Sequence, residues 1–341
     1  MDKVIGFGIM GCGSVAAAHA RAIRTVPGTR LVACCDTAAE RARKMGSELG
    51  CEWYDDYHRM LQRDDIQVVN ICTPSGLHAE QGTAAAEAGK HVIVEKPMDL
   101  SLKKIDRLIE TCRRNDLKLT CILQYRFTQA SRLVKKAVDE GRFGQLVFAV
   151  ADCKWYRAPA YYESASWRGT WALDGGVLSN QAIHYIDLLC WIAGELDEVE
   201  YARVETRARK IQVEDSAVAV LRFKSGAWGV VQGSTIVYPG LPARVEICGT
   251  KGSAVMSDAD LLHWKIEGEE DTPPLQTKAK AAGASDPGIA SLTGHDLQIA
   301  DFVQAIRQNR DPFVTPQDAR RTVSVLRSIY QKALGHQTLP A

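Results

Sequence analysis

The chain is predicted to be an α/β protein: a doubly wound parallel sheet first, then an α+β domain on a mainly antiparallel, open-faced sheet. Three observations lead there. From residue 3 to residue 123, short runs that are apolar throughout alternate with helix-forming stretches. Strands covered by helices on both faces need that pattern. After residue 123 the extended stretches follow one another across turn signals such as Lys224-Ser225-Gly226 and Gly249-Thr250-Lys251-Gly252, as antiparallel strands do. The length of 341 residues suits two domains, expected at 1–123 and 124–341.

Residues 3–9 read as a strand that runs into glycine-rich sequence. The alanine-rich stretch 14–26 forms helix and stops at Pro27-Gly28. Strand 30–35 and helix 38–49, ended by Gly50, come next. Strand 67–72, helix 78–88 closed by Gly89, strand 91–94, helix 101–115 and strand 118–123 complete the first domain. Right-handed crossovers place the loops after these strands along one sheet edge, where ligands bind. In the second domain, helix 128–140, strand 145–153 and a long helix over 178–193 precede extended stretches at 198–207, 215–223, 227–235 and 243–248. Such a sheet leaves a face that a second copy can cover, so a homodimer or homotetramer is expected. Residues 268–290 have no regular apolar period and read as a mobile surface loop. Helices 293–309 and 316–334 close the chain.

Apolar residues make up 46% of the chain, and the net charge is +1. This is the balance of an ordinary globular protein, with no basic footprint for nucleic acid. No apolar run approaches the ~18 residues of a membrane span. The N-terminus lacks the order of a signal peptide. A cytoplasmic protein with no membrane partner is expected. The ten cysteines are scattered without a C-x-x-C pair, which reads as reduced core thiols.

Gly11-Cys12-Gly13-Ser14-Val15-Ala16 is a G-x-G-x-x-A turn between the first strand and the first helix. Gly11 permits the tight turn, Gly13 lets backbone approach a pyrophosphate, and Ala16 lets helix pack close to strand. The helix opening at Ser14 and Val15 offers N–H groups and a positive dipole end to phosphates. This is a Rossmann dinucleotide site. Asp36, at the end of the second strand, can accept both ribose hydroxyls of adenosine and would repel a 2′-phosphate. Thr37 supplies no positive charge, although Arg41 lies one helical turn on, and NAD is therefore expected over NADP. The same carboxylate can also cap the helix that starts near residue 38.

Three more segments carry chemistry: Thr73-Pro74-Ser75-Gly76-Leu77-His78, Glu95-Lys96-Pro97, and Gly175-Gly176 followed by His184 and Asp187. With the glycine turn they stand in the order found in the Gfo/Idh/MocA oxidoreductases, named for glucose-fructose oxidoreductase and inositol dehydrogenase. The chain resembles that family from residue 4 to about residue 335. The resemblance implies hydride transfer between nicotinamide and a hydroxyl-bearing carbon of a sugar, nucleotide-sugar or cyclitol substrate. It makes Lys96 the group that polarises the substrate oxygen, as an ammonium at a strand end can. It also suggests a cis bond before Pro97. His184 becomes the acid–base group, a role imidazole suits near neutral pH. On a continuous helix, Asn180, His184 and Asp187 share one face. They lack the second histidine or cysteine of a zinc set, so no metal site is expected.

By the same resemblance Thr73, Pro74, His78 and Glu95 lie along the cofactor cleft, and Gln124 frames the nicotinamide or the substrate. Trp167-Arg168 reaches the cofactor in relatives; core packing and a salt bridge are the alternative. Arg157, Tyr161 and Tyr162 are candidates for the substrate side, and His295 either approaches the site or is a cap or surface residue. Many relatives carry Asp where Asn180 stands. Asparagine orients a hydroxyl but relays no proton, which counts against plain inositol oxidation. The Asn180-Gln181 pair, with Trp167-Arg168-Gly169-Thr170-Trp171 upstream, looks more like the branch that oxidises nucleotide-linked sugars such as UDP-N-acetylglucosaminuronate at C3. Two other activities share the resemblance: an NAD-dependent glycosidase that uses transient oxidation, and a non-catalytic NAD sensor. A sensor needs neither Lys96 nor His184.

Overall fold

A computed structural model describes residues 4–270 and 293–335. The chain divides into two compact units. One comprises Met1–Gln124 with Leu292–Arg320, the other Tyr125–Ser291 with Arg321–Ala341.

The first unit runs β1 (Ile5–Met10), α1 (Ala16–Thr25), β2 (Thr29–Cys35), α2 (Ala39–Leu49), β3 (Glu52–Tyr54), α3 (Tyr57–Leu61), β4 (Val68–Ile71), α4 (His78–Glu87), β5 (His91–Val94), α5 (Leu102–Arg114) and β6 (Leu119–Cys121). The sheet order is β3-β2-β1-β4-β5-β6, and every pair is parallel. That is the doubly wound order, with its switch point between β1 and β4. All six residues of β1 are buried, because helices cover both faces of a central strand. Two elements escape the sequence reading. β3 is an edge strand with Glu52 and Trp53 exposed, so it carries no apolar run to signal it. α3 is short, and the Asp56 side chain caps it by accepting from His58 N at 2.9 Å.

The second unit runs α6 (Gln129–Asp139), β7 (Leu146–Lys154), α7 (Pro159–Glu163), α8 (Val177–Asn180), α9 (Ile183–Ala193), β8 (Leu196–Glu205), β9 (Ser216–Phe223), β10 (Trp228–Ser234), β11 (Arg244–Gly249), β12 (Gly252–Ser257) and β13 (Asp260–Ile266). Its seven strands lie in the order β13-β12-β11-β7-β10-β9-β8. They are antiparallel except for the β7–β10 pair. The β12–β13 pair goes beyond the extended stretches marked in the sequence. A register shift between Val255 and Met256 interrupts its alternation.

The helix expected over 178–193 is two helices. Ala182 N bonds Val177 O at 2.8 Å, a span of five residues that widens the turn before α9 begins. α9 is buried almost all round and joins the core of the sheet's inner face, with Ala149, Ala151, Val245 and Ile247. The outer face exposes Phe148, Tyr201, Val218 and Trp228.

α10 (Thr293–Arg307) belongs to the first unit and packs on α1, where Arg21 meets Asp296 at 3.1 Å. α11 (Pro316–Leu334) follows. The loop expected at 268–290 lies, from residue 271 on, outside the described residues. The ten cysteines are free thiols. Among the described residues, no helix is long and apolar enough to cross a membrane.

Candidate active site

The first unit supplies a dinucleotide cradle. Gly11 has φ +89°, and a Cβ there would stand 2.5 Å from Cys72 O. Only glycine fits that approach of β1 to β4. A Cβ on Gly13 would meet nothing within 4 Å. The turn therefore opens onto space at the start of α1, where no side chain caps the helix. Ser14 and Val15 lead into that uncapped end, which suits an anion. Asp36 Oδ2 accepts from Cys12 N at 2.9 Å, and Oδ1 accepts from Ala38 N at 2.9 Å. The carboxylate thus fixes the glycine turn and the entry to α2 together. Arg41 pairs with Oδ1 at 2.9 Å. These residues fit a nicotinamide dinucleotide: Gly11, Gly13, Ser14 and Val15 could hold a pyrophosphate, and Asp36 could hold a ribose.

His78 ties the next two motifs to each other. It is buried, and its ring nitrogens lie 2.7 Å from Pro97 O and 2.7 Å from Thr73 O. The ring is therefore engaged with backbone. Thr73 donates to Gln81 Oε1 at 2.5 Å, and Pro74 precedes a short 3-10 turn at Ser75–Leu77. Lys96 is half-buried at the end of β5, and its bond to Pro97 is cis. Glu95 faces inward, with 6% of its surface exposed. His19 Nε2 lies 2.9 Å from Glu95 Oε1, and Lys96 N donates to Oε2 at 3.1 Å. Gln124 is buried, and its Oε1 has no hydrogen-bond partner among the described residues.

In the second unit His184 is buried on α9, edge-on to Tyr125 with ring centroids 5.2 Å apart. Asn180 sits on α8 and donates its amide to Asp174 Oδ1. Asp187 receives both Arg126 Nη2, at 2.7 Å, and Arg126 Nε, at 2.8 Å. Thr322 adds a third donor at 2.7 Å. The continuous helix expected to carry Asn180, His184 and Asp187 is thus interrupted: Asn180 ends α8, and His184 and Asp187 lie on α9. The Arg168 guanidinium lies 4.1 Å over Tyr161 and 4.6 Å over Trp167. Arg157, buried and pushed down in pKa by that burial, lies 5.6 Å from the same Tyr161 ring.

Residues 5–123 match the oxidoreductase family with the NAD-binding Rossmann fold, and residues 131–255 match the GFO/IDH/MocA C-terminal domain. The myo-inositol 2-dehydrogenase of Thermotoga maritima is 32% identical, over 72% of this chain and 73% of its own. The chain belongs to the Gfo/Idh/MocA oxidoreductase family. Like the named relatives, it is a nicotinamide-dependent dehydrogenase of CH–OH groups. The scyllo-inositol 2-dehydrogenase (NAD(+)) of Bacillus subtilis is 27% identical, over 95% of this chain and 93% of that one. The WlbA dehydrogenase from Bordetella pertussis, solved with NADH and UDP-GlcNAcA, is 31% identical. It superposes with a TM-score of 0.87 over 100% of this chain and 99% of its own.

In this Gfo/Idh/MocA chain two acids beside the Gly175-Gly176 pair escape sequence reasoning. Asp174 Oδ2 accepts from Gly169 N at 2.6 Å while Oδ1 holds Asn180. Glu214 Oε1 accepts from Leu178 N at 3.0 Å and from the Tyr330 hydroxyl at 2.7 Å. Burial pushes the Glu214 carboxyl up to about 7. A Cβ on Gly176 would lie 1.8 Å from Glu214 Oε2. The glycine pair is the only trace these acids leave in the sequence, since it makes room for one of them.

Proposed function

We propose that the enzyme oxidises a hydroxyl group of a nucleotide-linked, anionic sugar, with NAD as the hydride acceptor. NAD, held at the glycine turn of Gly11 and Gly13, would supply the acceptor for the hydride on the carbon that bears the hydroxyl. Lys96 hydrogen-bonds the substrate oxygen and stabilises the charge that grows on it. His184 takes the hydroxyl proton and returns it in the reverse direction. Asn180, steadied by Asp174, orients a neighbouring hydroxyl. The observation that carries the reading is the likeness to WlbA, whose solved complex holds UDP-GlcNAcA and which matches this chain end to end. Arg157 and Arg168 beside one tyrosine ring support an anionic substrate. A carboxylate at Asp36, at the end of β2, supports NAD over NADP.

A cyclitol substrate is the second reading, favoured by the identity to the Thermotoga enzyme. One assay separates them. Purified protein is given UDP-GlcNAcA, myo-inositol, levoglucosan or simple glycosides, with NAD and with NADP, and absorbance of the reduced cofactor is followed. The expected result is a rise with UDP-GlcNAcA and NAD. Lys96→Ala should then cut turnover by at least ~10²-fold, the scale of losing an electrostatic stabiliser. A rise with myo-inositol alone would replace the sugar-nucleotide reading. Glycoside cleavage without accumulation of NADH would make the enzyme a glycosidase.

A further inference from the structure

Four buried polar side chains meet beside Lys96, and the chemistry above uses none of them. His19 comes from α1, Asn70 from β4, Glu95 from the end of β5 and His295 from α10. His19 and Asn70 are fully buried, and His295 is 3% exposed. Asn70 Nδ2 donates to His19 Nδ1 at 2.7 Å. The proton of His19 therefore sits on Nε2, which donates to Glu95 Oε1 at 2.9 Å. His295 Nε2 lies 3.5 Å from the same oxygen, and the two imidazole rings meet edge-on at 5.4 Å. The other carboxylate oxygen accepts the Lys96 amide.

The charge state follows from these contacts. Burial opposes a charge on Glu95, but hydrogen bonds from His19 and His295 overcome it and hold the carboxyl well below its usual range. Burial lowers the pKa of His19. A neutral His19 donates, and an ionised Glu95 accepts. Burying such groups is a poor source of stability, since apolar residues of similar volume usually do as well. What a connected polar network gives is fixed geometry.

We propose that His19, Glu95 and His295 form a clamp that positions Lys96. Glu95 grips the Lys96 amide and sets the direction in which the lysine side chain leaves β5. Glu95 and the two histidines are positioning residues, which act through Lys96. The proposal rests on Lys96 holding the substrate oxygen, and it goes further by naming what holds Lys96.

The test has one readout that needs no substrate. Lysines are reductively methylated with ¹³C-formaldehyde, and the NMR signal missing from Lys96→Ala is that of Lys96. Glu95→Gln and His295→Asn should each move that signal and leave the other lysine signals in place. An unmoved signal overturns the clamp. The second readout is kinetic, with the substrate found above. Glu95→Gln should lower kcat by ~10²-fold, the scale of a misplaced reacting group, with KM and NADH affinity changed less than about threefold. The double variant with Lys96→Ala should be no slower than Lys96→Ala alone. Additive losses overturn the clamp. Near-normal turnover of Lys96→Ala sinks the functional reading instead, and the NMR result still judges the clamp. If Glu95→Gln does not fold, His295→Asn carries both readouts. The donor atoms of His19, Glu95 and His295 all lie within 4.8 Å of one another, so metal content is measured too. A stoichiometric metal that Glu95→Gln loses would make this a metal site and overturn the clamp.

Discussion

Glu214 makes the stability of the fold depend on pH near neutrality. The carboxyl has an ordinary value of 4.5 when exposed and about 7 when folded. Between those values the folded protein keeps a proton that the unfolded chain releases. Stability therefore falls as pH rises from about 4.5 to about 7, then levels off. The loss is roughly 3 kcal/mol. Glu214→Gln keeps an acceptor for Leu178 N and Tyr330 but has no proton to lose. It should melt higher than the parent at pH 8 and at the same temperature near pH 4.5. Identical melting at both pH values would mean that folding does not raise the Glu214 pKa. In the sequence only the Gly175-Gly176 pair hints at this residue, since its hydrogen-bond partners lie 36 and 116 positions away. Gly11 and Gly13 are legible for the opposite reason: a turn, a close approach and a helix end are all local. Asp36 is half legible, because a strand-end carboxylate suits both a ribose and a helix cap, and here it bonds Ala38 N.

α9 shows how one short polar anchor holds an apolar element. Its buried face includes Ile183, Ile186, Leu189 and Ile192, yet Asp187 lies among them with 1% exposure. Arg126, Asp187 and Thr322 satisfy one another, and the Arg126 guanidinium also lies 5.2 Å from the Trp191 ring. Removing Arg126 would leave a buried charge uncompensated. Arg126→Met should cost ~3–5 kcal/mol in urea unfolding, and adding Asp187→Asn should restore part of it. Full additivity of the two losses would show that the pair is not coupled. The sequence placed Asp187 in a motif with His184 and left its partner open, because a guanidinium 61 residues away leaves no local pattern. The break before α9 was hidden for a related reason. Periodicity reports apolar positions, and one extra residue between Val177 and Ala182 changes hydrogen bonding without changing composition.

At the scale of the molecule the alternation of helix and strand was enough to give the parallel sheet, since both faces of each strand had to be apolar. The second sheet was legible in its turns and in its unequal faces. Its outer face pairs Trp228 with Phe148 on neighbouring strands, flanked by Val218 and Tyr201. An apolar patch of this kind on a folded surface calls for a cover. We expect a second copy of the chain to supply it. Sedimentation should show an oligomer for the parent protein and a folded monomer for Phe148→Glu with Trp228→Glu; a monomeric parent would leave the face to another partner. The first unit has a different dependence. Its sheet is finished by α10, whose Gln298 accepts from Leu123 N at 3.1 Å and donates to Cys121 O at 2.7 Å. During synthesis the ribosome makes residues 1–124 long before it makes that helix. The nascent nucleotide-binding unit must wait, with one flank of its sheet uncovered, until residues 293–307 have been translated as well.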